Sequence, residues 1–531
     1  MSKSQKLILL RALLIVMAGF WVFAPALRGD WLMGDDMYVT QNPLVNDPAR
    51  LWKIWFVPGS LIEYYPIDAT VQAIEWHLWH MNTLGYHLTN LTLHVLNGLL
   101  VWRLLAKFGL RYAWLGGFLF VIHPAVVESV AWITELKNTL SLFPFLFAMC
   151  AWIDYDEHAR PRDYFLALGL FLVAMLCKIS VAPFPLIILF YAWWKKGHVG
   201  LRDLKASAPF WAVSLALSFI SVLAGDWFFK AQLHQAAGPQ IGGFLTRMVI
   251  AGLSISFYFS RFFWPVGLIP TFYPQWTVDP PTLIQFLPWP ILGTVICLLW
   301  SKRNGWGRHA LLGLGFFLIN LAPFLGLNSV SYHRFTWVMD HLMYLPMIGL
   351  IGLAVAFLEQ VENAIPSPLR HWLATLTAMT LAVLAWGSHD YAKIFVGPET
   401  LYRYTVEHNP ASFMAYNNLG NVLLRIGQGQ EAIEAYQKAL QLNPTMPEAH
   451  NNLGLAFFQL NRPPEAIEQY EQALKYDPHF GLAHSNLAHA LTQVGRLQEA
   501  IAQYEQALLV NPQDHDARAN LTKLKTQLQT P

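Results

Sequence analysis

Charged side chains are scarce in this sequence. Of its 531 residues only 13% are Asp, Glu, Lys or Arg, and 55% are hydrophobic, whereas a soluble domain usually carries about 25% charged residues. The formal net charge of +2 is too small to favour nucleic acid as a partner. The shortage is also uneven, because long apolar runs fill residues 1 to about 390 and the remainder resembles an ordinary soluble protein. Two parts in different solvents are therefore expected.

Cysteines are equally few. The three that occur, Cys150, Cys177 and Cys297, lie inside apolar runs without paired spacing, so neither a disulfide framework nor a zinc site is implied. Aromatic residues are abundant by contrast, with 22 Trp, 20 Tyr and 34 Phe. Trp and Tyr favour the headgroup layers of a membrane, where a ring lies half in lipid and half in water.

The apolar runs have the length of membrane-crossing helices, which need about 20 apolar residues. Twelve runs are candidates, at about 7–27, 85–106, 112–123 (extending toward 133), 138–153, 164–177, 179–194, 207–225, 245–263, 286–300, 308–327, 341–358 and 370–388. The first run follows a basic flank and has no clear small-x-small cleavage site. It is therefore interpreted as an uncleaved first helix whose N-terminus lies inside.

Positive charges between the runs test the path of the chain, because Lys and Arg collect in cytoplasmic loops. An alternating path obeys this rule until Lys302, which falls outside if all twelve runs span. The segment 241–263 carries Arg247 and Arg261, so we predict that it lies in the outer interface or is re-entrant. About eleven spans then remain. The C-terminal part and the loop 28–84 are placed outside.

The C-terminal part repeats itself every 34 residues, a period marked by Pro410, Pro444, Pro478 and Pro512. The segments EAIEAYQKAL, EAIEQYEQAL and EAIAQYEQAL recur within this period. Period and pattern are those of the tetratricopeptide repeat (TPR). Such arrays form concave surfaces that bind peptides or proteins, and they rarely do chemistry.

The repeats set the predicted domain organisation. A polytopic membrane domain covers 1–395, and 396–411 is a linker or a degenerate hairpin. The region 412–531 holds three repeats and a polar capping helix. The repeats are expected at 412–445, 446–479 and 480–513.

Two adjacent carboxylates, Asp35 and Asp36, follow the first predicted helix on the outer side. Such a pair can take a proton from an acceptor hydroxyl as a general base. It can also hold a hard divalent cation against a phosphate. A solvated interfacial turn is the alternative, since Asp is common just outside membrane helices.

A polar stripe marks the next predicted helix. His87, Asn90, His94 and Asn97 are spaced by three, four and three residues, which places them on one helix face. A polar stripe in a membrane helix faces a bundle interior or a wet cavity. Ligand binding by His87, Asn90 and His94 and a hydrogen-bonded packing seam are both open.

Further charges lie close to apolar sequence. A charge at the membrane centre costs about 2.5–3.5 kcal/mol on the insertion scale, so Glu128 and Lys137 need water or partners, and a Glu–Lys pair at the interface is the alternative. A later segment holds Arg334, Asp340 and His341. The planar fork of Arg suits phosphate, and an ordinary charged loop is the alternative.

Taken in order, these motifs resemble one known family. The chain has a double Asp after the first span, then Tyr-His-x-Thr-Asn-x-x-x-His-x-x-Asn and His-Pro-x-x-x-Glu-Ser-Val-Ala-Trp, and later Asp-x-x-x-Tyr-Leu-Pro before the TPRs. This is similar to the transmembrane-and-TPR-containing family and its bacterial relatives, within the GT-C glycosyltransferase superfamily. The resemblance covers nearly the whole chain. The predicted fold class is all-α, a GT-C-like membrane helical bundle followed by a TPR α-solenoid.

The resemblance implies the chemistry. Donors are polyprenyl-phosphate-linked sugars, and the site opens on the non-cytoplasmic face. Asp35 and Asp36 match the catalytic acidic pair of the family. The resemblance does not decide which of the two is the base. Glu128 matches the family's His-Pro-to-Glu position, and Lys137 matches a basic position in the following loop. No cofactor is implied with certainty, and a divalent cation on the acidic pair is the candidate. A bacterial inner membrane is the expected location.

Two departures from the family pattern bear on the donor site. Relatives usually carry Arg-Lys-Asp where this chain has Leu136-Lys137-Asn138, and Asp-Arg-Tyr where it has Asp340-His341-Leu342. The second change removes an Arg expected to face the donor phosphate. Arg334 or His341 is a candidate to compensate, and a different donor or lost catalysis are the alternatives.

Three functions compete. The first is transfer of a sugar from a polyprenyl phosphate to an acceptor, with the TPR array recruiting a protein acceptor or partner. The second is a non-enzymatic, membrane-anchored TPR scaffold for assembly of envelope or secreted proteins, for which twelve apolar segments are excessive. The third is a transporter or polymerase of lipid-linked glycans, which needs basic residues along a path through the bundle, and few are present. Glycosyl transfer is the predicted function.

Overall fold

Helices and the loops between them make up the computed structural model, which describes residues 2–32, 34–57, 59–61, 63–232, 241–326, 333 and 335–529. Within these ranges there is no strand, which confirms the predicted all-α fold class. The chain divides into two compact units, Met1–Gly397 and Pro398–Pro531.

The first unit begins with two long helices separated by three short ones. The first eight helices are α1 Lys3–Phe23, α2 Pro43–Asn46, α3 Leu51–Phe56, α4 Pro66–Trp79, α5 Thr83–Lys107, α6 Ala113–Ile122, α7 Val127–Ala131 and α8 Leu136–His158. Glycines let α5 and α6 approach closely. A Cβ added to Gly98 would lie 2.3 Å from Val121 Cγ2, and one added to Gly117 would lie 2.5 Å from the Gly98 carbonyl oxygen.

Eight further helices follow within the described residues of the first unit. They are α9 Pro161–Cys177, α10 Phe184–Lys196, α11 Leu201–Gln232, α12 Phe244–Phe263, α13 Pro288–Ser301, α14 Trp306–Leu321, α15 Met347–Ala364 and α16 Arg370–Ala392. The strongest packing in this unit joins α8 to α9, and α14 packs against α15.

Several of these helices can cross a membrane. Five are long and apolar enough, namely Lys3–Phe23, Ile133–His158, Leu201–Gly225, Leu283–Ser301 and Met347–Ala364. The pair Ala113–Ile122 and Pro124–Ala131, bent by 59°, adds a sixth if it forms one span. The protein is therefore a multi-pass membrane protein.

The count of eleven spans stays a prediction. Helix α10 has 13 residues and α14 has 16, against the roughly 20 that cross the hydrocarbon layer. The segment that we expected in the interface or as a re-entrant turn forms one continuous helix of 20 residues, α12. A continuous helix is not a re-entrant turn, and the position of α12 relative to the membrane stays a prediction.

The second unit is a row of helical hairpins, each made of two consecutive helices. Its helices are α17 Pro398–His408, α18 Phe413–Arg425, α19 Gly429–Leu442, α20 Pro447–Gln459, α21 Pro463–Tyr476, α22 Gly481–Gln493, α23 Leu497–Val510 and α24 His515–Gln529. Small residues opposite buried aromatic rings let each hairpin close. A Cβ on Gly420 would lie 2.5 Å from Tyr436 Cε1, and Gly454 meets Tyr470 in the same way.

Candidate active site in the outer loop

The two adjacent carboxylates in the loop after α1 have different surroundings. Gly34 has a φ of +86°, a left-handed conformation that glycine adopts without steric cost. A π-helical turn, Asp36–Thr40, follows directly. The result is that Asp35 is fully buried and Asp36 is exposed.

Three N–H groups hold the Asp35 carboxylate. Its Oδ2 accepts a hydrogen bond from the Leu32 backbone at 2.7 Å, and its Oδ1 accepts from Trp132 Nε1 and the Thr134 backbone at 3.1 Å each. Burial raises the pKa of Asp35 to about 7, against the lowering effect of these donors. Asp35 therefore ties the outer loop to the segment between α7 and α8.

Asp36 lines a cavity of about 440 Å³. Cavities that bind small ligands measure about 300–1,000 Å³. The other charged residues of the wall are Glu63, Asp68 and Lys137. Two of the predicted site residues, Asp36 and Lys137, are thus brought together.

Lys137 is the one cation among the described residues of this cavity wall. Its Nζ lies 3.2 Å from Glu63 Oε2 and 3.8 Å from Glu135 Oε1. It also lies 5.3 Å from the centre of the Tyr38 ring. An ammonium held between two carboxylates stays charged, and it can offer remaining N–H groups to an anion.

A line of polar side chains runs inward from Lys137. Glu135 accepts a short hydrogen bond from Asn138 Nδ2, and Asn138 Oδ1 accepts from Lys178 Nζ at 2.5 Å. Sequence reasoning missed Lys178, although one signal was present, a lone Lys between the apolar runs 164–177 and 179–194. It also missed Glu63, which no local pattern marks.

Glu128 and His341 meet away from this cavity. His341 Nδ1 lies 3.2 Å from Glu128 Oε1, and Glu128 Oε2 has no hydrogen-bond partner within the described residues. Asp340 is buried and accepts hydrogen bonds from the hydroxyls of Tyr273 and Tyr391 at 2.8 and 3.1 Å. Burial, with the charge of Glu128, raises the pKa of Asp340 to about 8.

Neither Glu128 nor Asp340 nor His341 belongs to the described wall of the Asp36 cavity. Arg334, the other candidate partner of the donor phosphate, lies outside the described residues. The basic group that the structure does bring to Asp36 is therefore Lys137.

The polar stripe of α5 is buried and bonded to backbone. His87 Nε2 lies 3.3 Å from the Gly29 carbonyl oxygen, and Asn90 Nδ2 donates to the Trp132 carbonyl at 3.1 Å. His94 Nε2 lies 3.1 Å from a backbone carbonyl of α6. These contacts join α5 to neighbouring segments, and none of the three side chains lines the cavity. A role of the stripe in ligand binding stays a prediction.

A divalent cation shared by Asp35 and Asp36 stays a prediction. Three N–H donors already surround the Asp35 carboxylate, while Asp36 lines the cavity. Among the described residues, one group of side chains has ligand atoms close enough for a metal, Asp154, Glu157 and His158. It lies at the end of α8, and Asp154 is already paired with Lys107 at 2.6 Å.

Comparisons with known proteins match the C-terminal repeats to tetratricopeptide repeats. A family model described as TPR repeat matches residues 420–461, and another described as tetratricopeptide repeat matches 451–517. Among solved structures, the first TPR domain of human RPAP3 is 25% identical and covers 23% of this chain and 96% of its own, with a TM-score of 0.22.

Two curated relatives match most of the chain. Human protein O-mannosyl-transferase TMTC1 is 24% identical over 488 residues, which cover 81% of this chain and 55% of that protein. Drosophila melanogaster protein O-mannosyl-transferase Tmtc3 is 23% identical over 479 residues, covering 75% and 51%. The chain spans about half the length of these relatives.

Proposed function

We propose that this chain, which is similar to the protein O-mannosyl-transferases and carries tetratricopeptide repeats, is a membrane glycosyltransferase of the GT-C type. It moves a hexose from a polyprenyl-phosphate donor to a protein hydroxyl on the non-cytoplasmic face. One observation carries the proposal, namely that an exposed carboxylate, Asp36, and a single cation, Lys137, line the same cavity.

Asp36 is the general base. Its carboxylate takes the proton of the acceptor hydroxyl while the acceptor oxygen attacks the anomeric carbon of the sugar. The bond from that carbon to the phosphate oxygen breaks, and the lipid phosphate leaves with the electron pair. Attack on the face opposite the leaving group inverts the anomeric carbon. A positioned base contributes about 10²–10⁴-fold to such a reaction.

Lys137 stabilises the departing phosphate. The negative charge on the phosphate oxygen grows as the glycosidic bond breaks, and a fixed ammonium nearby favours that state. Glu63 and Glu135 hold Lys137 in place. Lys137 is thereby the basic residue that the family pattern places in this loop.

Asp35 is a positioning residue. Its three hydrogen bonds fix the turn that begins at Asp36. This turn places Asp36, the base, at the cavity wall. The TPR array recruits the protein acceptor or a partner. The expected location is a bacterial inner membrane with the array on the periplasmic side.

The test compares Asp36→Asn with Asp30→Asn in the full-length protein. Asp30 is a matched control, because it is exposed in the same loop and its Oδ1 accepts from the next backbone N–H at 2.8 Å, as Asp36 Oδ1 does at 2.9 Å. Transfer from radiolabelled polyprenyl-phosphate mannose to a Ser/Thr peptide should fall about 10²–10⁴-fold in Asp36→Asn and persist in Asp30→Asn. Wild-type transfer by Asp36→Asn would refute the assignment.

A second readout separates catalysis from scaffolding. Glycans on exported proteins are compared between cells with the wild-type protein and cells with Asp36→Asn at equal membrane level. Loss of one sugar supports the transferase. Unchanged glycans, with a defect that instead follows removal of residues 412–531, support the scaffold.

A further inference from the structure

Helix α4 contributes polar groups to the cavity that the proposed reaction does not use. Asp68 and Gln72 lie four residues apart on α4, which puts both side chains on one helix face. They are only 5% and 3% exposed, and Gln72 Nε2 donates to Asp68 Oδ2 at 3.0 Å. Both line the same cavity as Asp36, together with the rings of Tyr38 and Tyr65.

One oxygen of this pair has no partner. Asp68 Oδ1 is buried and makes no hydrogen bond within the described part of the chain. Buried polar groups in native proteins are normally paired, so an unpaired carboxyl oxygen at a cavity wall suits a ligand that brings a hydroxyl. Burial raises the pKa of Asp68 to about 8, so near neutral pH the carboxyl can both donate and accept a hydrogen bond.

We propose that Asp68 and Gln72 form the subsite that binds the hexose of the lipid-linked donor and selects among hexoses. This inference rests on the proposed function. A carboxyl beside a carboxamide offers donors and acceptors to two neighbouring ring hydroxyls. A site built in this way rejects an epimer, because a hydroxyl that points elsewhere leaves the buried groups unpaired. The rings of Tyr38 and Tyr65 supply apolar surface with a polar tip.

The structure provides a matched control on the same helix. Glu75 is 4% exposed, and its Oε1 has no partner within the described residues, yet Glu75 is not part of the described cavity wall. The variants Asp68→Ala, Gln72→Ala and Glu75→Gln are therefore compared in the full-length protein. For each, kcat/KM is measured with polyprenyl-phosphate mannose and with polyprenyl-phosphate glucose.

The quantity that decides is the ratio of the two kcat/KM values, because the amount of folded enzyme cancels from it. The ratio of the preferred donor to the other donor should fall about tenfold or more in Asp68→Ala and in Gln72→Ala, and it should keep its wild-type value in Glu75→Gln. Wild-type ratios in both cavity variants, or complete loss of transfer in both, would overturn the subsite. If the wild-type protein transfers neither sugar, the proposed function itself fails.

Discussion

Two neighbouring aspartates in this protein have opposite surroundings, and single substitutions should separate their roles. Asp35 accepts three N–H bonds in a fully buried position. In Asp35→Asn one carboxylate oxygen becomes an NH₂ group, which cannot accept from those donors. We expect a loss of about 1–3 kcal/mol of stability, seen as a lower thermal midpoint in detergent. Asp36→Asn should melt like the wild type.

Equal melting of Asp35→Asn and the wild-type protein would contradict this assignment. The comparison is informative because both substitutions replace a carboxyl by a carboxamide at adjacent positions. A difference between them therefore reports the different surroundings of the two side chains.

At the scale of elements, α4 makes the stability of the outer loop depend on pH. Burial raises the pKa of Asp68 and of Glu75 to about 8 each, while carboxyls in the unfolded chain titrate near pH 4. The folded state therefore binds more protons between these values, and stability is lost as pH rises towards 8. The thermal midpoint should fall between pH 6 and pH 9.

Glu75→Gln should reduce this fall and raise the midpoint at pH 9, because a neutral amide no longer has to ionise in a buried site. The measurement is a series of melting curves in detergent at several pH values. Parallel curves for wild type and Glu75→Gln would show that Glu75 does not carry the pH dependence.

The packing of α5 against α6 offers a second prediction at this scale. A Cβ on Gly117 would lie 2.5 Å from a backbone oxygen of α5, which cannot move aside as a flexible side chain can. Gly117→Ala should cost about 1–3 kcal/mol through overpacking. Gly169→Ala on α9 is the control, because nothing lies within 4 Å of its added Cβ. A helical alanine there should be neutral or slightly stabilising.

A lower thermal midpoint or lower membrane level of Gly117→Ala, with Gly169→Ala unchanged, would agree with close packing of the two helices. Similar behaviour of both variants would count against it.

At the scale of the whole molecule, the two compact units suggest a division of labour. The chain ending at Gly397 keeps every described residue of the cavity wall. It should therefore transfer sugar to short peptides with a rate near that of the full chain, and it should lose preference for folded protein acceptors. The ratio of kcat/KM for protein and peptide acceptors measures this, and an unchanged ratio would contradict recruitment by the TPR array.

Local sequence pattern was enough for the architecture of both units. The TPR helices follow from a 34-residue period of prolines, small residues and tyrosines, and each hairpin buries the residues that its own period supplies. The membrane character follows from apolar length. The number of spans cannot be predicted from apolar length, since helices such as α10 are shorter than the length that crosses the hydrocarbon layer.

The arrangement of the candidate site could not be predicted from local sequence pattern, because it depends on contacts between residues that are distant in the chain. The adjacency of Asp35 and Asp36 does not reveal which one is buried, because the answer rests on donors from Trp132 and Thr134, 97 and 99 residues away. Likewise the α5 stripe fits binding or packing equally well until its backbone partners are known. The roles of these residues in catalysis stay predictions.

The origin of the cavity wall has a consequence for how this protein can diversify. Every described residue of that wall except Lys137 lies between positions 36 and 72. One contiguous segment of the outer loop thus forms almost the whole cavity wall, while the bundle supplies a single charge, Lys137. Exchange of this segment would replace most of the wall at once and leave the sequences of the membrane helices unchanged.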